Sequence, residues 1–233
     1  NSMEYSNKKT ARIAGVLYLI VVLTGMFSLA YVPKTLINWE DPAFTFNKIV
    51  ASEFLFKLGI YSSIICYTAF VFLPIVLHQL LKQVNEFYAK MMAILALISV
   101  PISFLNLQHK FAILTLISKS DFLKIYSLEQ LQSQVMLHLN EYEHGISLVS
   151  VFWGLWLLPF GYLVYKSGFI PKILGILLML GCFGYLINFT GNLLIKNYLE
   201  LGIATLVRLP ASLGEIGTCL WLVIIGTKNK LTT

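Results

Sequence analysis

Glu141–Gly175, EYEHGISLVSVFWGLWLLPFGYLVYKSGFIPKILG, decides the fold. It opens on Glu141, Glu143 and His144. About twenty apolar and aromatic residues follow, Gly145–Tyr165, enough to cross a bilayer core roughly 30 Å thick. The stretch ends on Lys166, a tight SGFIP turn and Lys172, where a second apolar run begins. A basic turn between two apolar spans is the pattern of a cytoplasmic connection. The acids and the histidine then stand at the opposite mouth of the span.

Composition extends this reading to the whole chain. Of 233 residues, 58% are hydrophobic and only 12% charged, where a soluble domain carries about 25% charged residues. A soluble core of this length cannot hide so much apolar surface. The class is therefore all-α: a polytopic membrane helix bundle forming one domain over residues 1–233. The net charge of +6 is spread over single basic residues in short loops. That pattern reports topology and excludes a nucleic-acid partner. Cys66, Cys182 and Cys219 fall inside apolar runs without CxxC spacing and read as small buried hydrophobes.

Six spans are expected, over about Ile13–Val32, Phe54–Leu81, Met91–Ile117, Gly145–Tyr165, Ile173–Ile195 and Gly202–Gly226. Asp41-Pro42 is a helix start, an acceptor side chain before a proline. Ser127 and Gln130 fit a capping box ahead of Leu128, Leu131, Val135 and Leu139, which recur at helical spacing. Short amphipathic helices are thus expected in the outer loops, the second leading into the fourth span. Lys8, Lys9, Arg12, Lys82, Lys90, Lys166, Lys172, Lys228 and Lys230 gather at the termini and two short connections. The positive-inside rule then places both termini in the cytoplasm, N-in and C-in, and Asp121–Asn140 outside.

Several stretches carry a family resemblance: ARIAGVLYLI (Ala11–Ile20) with SLAYVP (Ser28–Pro33), ASEFLFKLGI (Ala51–Ile60), Phe152–Ile187, and LPASLGEIGTCLWLVIIG (Leu209–Gly226). Together the chain resembles the bacterial integral-membrane family catalogued as domain of unknown function 4386. The resemblance implies a multi-pass protein of the bacterial cell (inner) membrane with this helix number. It supplies no activity and no catalytic residues.

Ionisable groups within a membrane are costly and usually face a bundle interior or a wet cavity. Here they lie on helical stripes. Ser99, Ser103, Asn106 and Lys110 share one face of the third span, and Arg208, Ser212, Glu215 and Cys219 one face of the sixth. Gly181, Gly184, Asn188 and Gly191 do the same on the fifth, with Asn192 adjacent. One hydrated cavity, opening outward and leaning positive through Lys57, Lys110 and Arg208, would satisfy them all. In that geometry Lys110, Arg208, Glu215, Asn106, Asn188 and Asn192 bind a ligand, and Lys110 or a water links Arg208 to Glu215. The same stripes equally fit helix packing.

The histidines invite a metal. Glu141 and His144 form an E-x-x-H pair on one helix face. With His109 and His138 they offer a nitrogen and oxygen set that zinc accepts. No G-x-S-x-G, H-E-x-x-H or P-loop occurs. Three readings follow. The first is a binding protein for an anionic lipid or other small amphiphile. The second is a membrane-embedded metal-dependent hydrolase using His109, His144 and Glu141. The third is a structural or partner-binding membrane subunit.

Overall fold

The computed structural model describes residues 2–227; Lys228 and Lys230 of the basic terminal set lie outside the described residues. The described chain is helical, and six stretches are long and apolar enough to cross a membrane: Asn7–Leu36, Glu53–Leu81, Glu86–Ile117, Leu128–Ser167, Lys172–Leu194 and Ile203–Ile224.

The helices are α1 (Ser2–Met26), α2 (Val32–Leu36), α3 (Pro42–Ala51), α4 (Glu53–Leu81), α5 (Glu86–Asn106), α6 (Gln108–Ile117), α7 (Leu128–Leu155), α8 (Leu157–Ser167), α9 (Lys172–Leu194) and α10 (Ile203–Ile224). The expected helix starts are realised. Asp41 Oδ1 accepts from the Phe44 amide at 2.8 Å, with Pro42 at the first helical position. Ser127 and Gln130 close the capping box reciprocally: the Ser127 amide donates to Gln130 Oε1 and the Gln130 amide to Ser127 Oγ. The surface helix and the fourth span are continuous in α7, so the helix that carries that span begins well before Gly145.

Prolines explain two irregularities. Pro159 has no amide hydrogen, and its ring crowds the carbonyl four residues back, at Leu155. The helix breaks there, at Trp156, between α7 and α8. Pro33 likewise cannot bond to Leu29. The first span passes through a π-turn at Phe27–Tyr31, with the Val32 amide reaching back five residues to the Phe27 carbonyl. The third span breaks at Leu107, between α5 and α6, where amides reach back three residues instead of four.

The chain divides into two compact units. One comprises residues up to Ile20, 68–100 and 148 onward. Its aromatic centre is Trp156, stacked on Phe160 at 4.9 Å and meeting Phe70 edge-on at 5.4 Å. Glycines set its helix spacing. A Cβ on Gly181 would lie 2.7 Å from Ala211 Cα, and one on Gly214 2.9 Å from the Leu178 amide, so α9 and α10 touch backbone to backbone. Gly161 and Gly175 do the same for α8 and α9. On α10, Leu206, Leu209, Leu213, Ile216, Leu220 and Ile224 form an exposed apolar stripe, while Ala211, Gly214, Thr218 and Leu222 are buried. An outward stripe of leucines suits lipid as solvent.

The other unit comprises residues 21–67 and 101–147. Its core is Val32, Leu36, Phe46, Ile49, Phe56, Ile60, Ile113, Ile117, Val135 and Leu139. Helix α3 contributes Phe46 and Ile49, one turn apart on the face it buries.

Candidate functional site

Lys110 sits in the second unit, in the first turn of α6, and is only 2% exposed. No carboxylate lies within ion-pair distance of it among the described residues. Glu143 acts on it only through space. Its ammonium instead lies over the Tyr142 ring, 4.3 Å from the centroid, and 5.7 Å from that of Phe56. Aromatic faces attract cations, but they do not accept an ammonium's three hydrogen bonds as oxygens do.

The surroundings of Tyr142 are also unsatisfied. Its hydroxyl, that of Tyr67 and that of Ser63 are buried without a hydrogen-bond partner. Tyr67 faces both of the others. Buried polar atoms are normally paired, and each orphan costs roughly 1–3 kcal/mol. One cation and three neighbouring hydroxyls thus share this interior. Asn106 is different: its Nδ2 donates to the Tyr142 carbonyl at 2.9 Å, and its side chain fills the space that a Cβ on Gly145 would need. It ties α5 to α7.

The remaining expected ligand residues belong to the first unit. Glu215 is half-buried on α10, where Tyr18 donates to Oε1 at 3.0 Å and Tyr185 to Oε2 at 3.5 Å. Two tyrosine hydroxyls therefore serve this carboxylate. Arg208 is exposed on the same helix and makes no ion pair among the described residues. Two helical turns of α10, about 10 Å, separate it from Glu215 along the axis. Asn188 donates to the Ala204 carbonyl at 3.1 Å and accepts from Tyr198 at 2.8 Å, so it fastens α9 to the start of α10. Asn192 is exposed. Lys57, counted among the cavity charges, forms an exposed ion pair with Glu53 one turn away, at 2.5 Å.

The histidine set resolves into three members. His109 Nδ1 lies 3.4 Å from His138 Nδ1 and 3.1 Å from Glu141 Oε2, and His138 Nδ1 lies 3.4 Å from that same oxygen. His138 and Glu141 are three residues apart on α7, and His109 comes from α6. This His/His/Glu group has the makings of a chelate. His144 is not part of it. It is exposed, and six residues beyond His138 it lies roughly 120° away around the helix. The E-x-x-H pair therefore supplies its glutamate to the cluster, and His138 takes the place of its histidine.

Tyr67, Tyr142, Tyr18 and Tyr185 escaped the sequence reading. Tyr142 had a signal: with Val135, Leu139 and Val149 it completes a buried stripe at helical spacing. Tyr18 and Tyr185 had none, because only the fold brings them to Glu215. A groove of about 440 Å³ lies elsewhere, along α1, lined by Lys8, Lys9, Arg12, Ile13, Val16 and Leu17. Its lining is basic and apolar.

Comparisons with known proteins bear on family and not on activity. A protein of Archaeoglobus fulgidus described only as uncharacterized is 37% identical over 87 residues, covering 36% of this chain and 47% of that protein. The match thus spans about half the length of that relative. No solved structure matches. The family described as "Domain of unknown function (DUF4386)" matches residues 13–226, so this multi-pass membrane protein belongs to that family.

Proposed function

We propose that the protein binds an anionic amphiphile, a lipid or a molecule of similar build, whose head group completes the site at Lys110. The observation that carries this reading is the buried ammonium itself. It stands in a membrane-spanning stretch against two aromatic rings, with no anion at ion-pair distance among the described residues. A desolvated cation with no counter-charge at ion-pair distance is costly, and an incoming anion lowers that cost. The clustered hydroxyls of Ser63, Tyr67 and Tyr142 offer donors to the same guest. Asn106 and Asn188 hold the helices, Glu215 holds Tyr18 and Tyr185, and Arg208 and Asn192 are surface groups outside this reading.

The positive-inside argument supports an orientation with both termini cytoplasmic and the His109 end of the bundle outside, in a bacterial inner membrane. Every boundary between the two units falls inside a helix, in α1, α4, α5 or α7. That supports treating residues 1–233 as one domain.

The test is native mass spectrometry of protein purified in mild detergent and re-lipidated with mixed anionic and zwitterionic lipids. Lys110→Met should lower retention of the anionic species by roughly tenfold, the worth of one charge-assisted contact of about 1.4 kcal/mol. Unchanged retention in a folded Lys110→Met variant would refute the reading.

A further inference from the structure

We propose that His109, His138 and Glu141 form a binding site for a zinc-class divalent metal ion, with one coordination position left open. A tetrahedral zinc ion with bonds of about 2.0–2.1 Å to nitrogen and oxygen requires its ligand atoms to stand about 3.3–3.4 Å apart. The three ligand atoms here form a triangle with sides of 3.1, 3.4 and 3.4 Å. That is close to one face of the tetrahedron.

Two helices hold the triangle. His138 and Glu141 lie on one face of α7, three residues apart, inside a 28-residue helix. His109 lies in the first turn of α6, just after the break at Leu107. The two imidazoles present the same nitrogen, Nδ1, to the same glutamate oxygen. A shared cation satisfies all three lone pairs together. Hydrogen bonding alone leaves at least one of the three contacts unserved: if both imidazoles donate to the oxygen, two donors face each other at 3.4 Å, and if one donates to the other, a nitrogen lone pair faces the carboxylate.

The donor set selects the metal class. Two imidazoles and one carboxylate suit zinc and its first-row neighbours, whereas magnesium and calcium prefer oxygen. Each of the three side chains is partly exposed, at 27–42%, so a fourth ligand from solvent or from a bound molecule has access. Three protein ligands with an open fourth position distinguish reactive zinc sites from closed structural ones. This site is independent of the anion reading at Lys110, and either can fail alone.

The experiment uses the full-length protein in detergent, stripped with a chelator and titrated with Zn²⁺ against a chromogenic competitor. One equivalent should bind, and Co²⁺ in its place should show the intense visible bands of a tetrahedral ion. His109→Ala and His138→Ala should each lower affinity by more than the roughly 10–100-fold that changes in outer-shell partners cost. His144→Ala should bind as wild type does. Thermal unfolding of the metal-free variants establishes that they fold, and added Zn²⁺ should raise the melting temperature of wild type and His144→Ala only. Wild-type binding no stronger than that of a His109→Ala/His138→Ala double variant would overturn the proposal. So would loss of binding in a folded His144→Ala variant, which would assign the metal to the other histidine.

Discussion

Glu215 shows how the partner of a buried charge sets the cost of losing it. Had the carboxylate balanced a lysine or an arginine, its removal would strand a cation and cost roughly 3–5 kcal/mol. Its partners are Tyr18 and Tyr185. Removing it leaves hydroxyls unpaired, for which the expected cost is about 1–3 kcal/mol. Glu215→Ala should therefore lower stability by that smaller amount, measured by equilibrium unfolding in detergent micelles. Adding Tyr18→Phe should return part of the loss, because the orphaned hydroxyl goes with it. A double-mutant cycle with no coupling between the two positions would show that the Tyr18 bond contributes nothing to stability. Lys110 is the contrasting residue: with no carboxylate at ion-pair distance among the described residues, its replacement should register in ligand retention more than in folding.

Among the elements, α9 and α10 pack backbone to backbone. The stripe of Gly181, Gly184, Asn188 and Gly191 fitted either a cavity wall or a packing seam, and α9 uses it as a seam. Gly181 meets Ala211, Gly184 meets the Val207 carbonyl, Asn188 caps the Ala204 carbonyl and Gly191 receives the Tyr198 ring. A methyl group at Gly184 would drive into backbone, which cannot rotate away as a side chain can. Gly184→Ala should destabilise the bundle by about 1–3 kcal/mol, the usual cost of overpacking. Gly202→Ala offers a control of another kind: no atom lies within 4 Å of its Cβ position, yet φ is +70°, so its cost comes from backbone strain alone. If Gly184→Ala unfolds at the wild-type temperature, the α9–α10 seam is looser than the glycine contacts require.

For the whole molecule, the testable quantity is orientation. The proposed orientation puts the Lys82–Lys90 and Lys166–Lys172 turns in the cytoplasm and the loop carrying Lys119 and Lys124 outside. The native cysteines Cys66, Cys182 and Cys219 are buried and unpaired, so a cysteine-free background is a conservative starting point. Single cysteines at position 124 should label with an impermeant maleimide in intact cells, and single cysteines at position 168 only after lysis. Labelling of position 168 in intact cells would invert the topology and turn the His109–His138–Glu141 cluster toward the cytoplasm.

Features that depend on near neighbours in the chain were legible before any fold was known. The six spans follow from apolar length, the start of α3 from Asp41-Pro42, and the start of α7 from Ser127 and Gln130, because each rests on contacts within a few residues. The break at Trp156 follows equally from Pro159 acting four residues back, although it becomes evident only once the helix is seen. Partnership across the sequence was not legible. A helical stripe shows which residues share a face but not what stands opposite, so Asn188, Glu215 and Lys110 looked alike as polar groups within spans. Tertiary structure separated them. It set Asn188 against a carbonyl, Glu215 against two tyrosines 197 and 30 residues away, and Lys110 against two aromatic rings. It also chose His138 over His144, because His109 arrives from α6 on only one side of α7. The hydrophobic and hydrogen-bonding needs of each residue are written in its own chemistry, while the groups that meet those needs are set by which helices pack together.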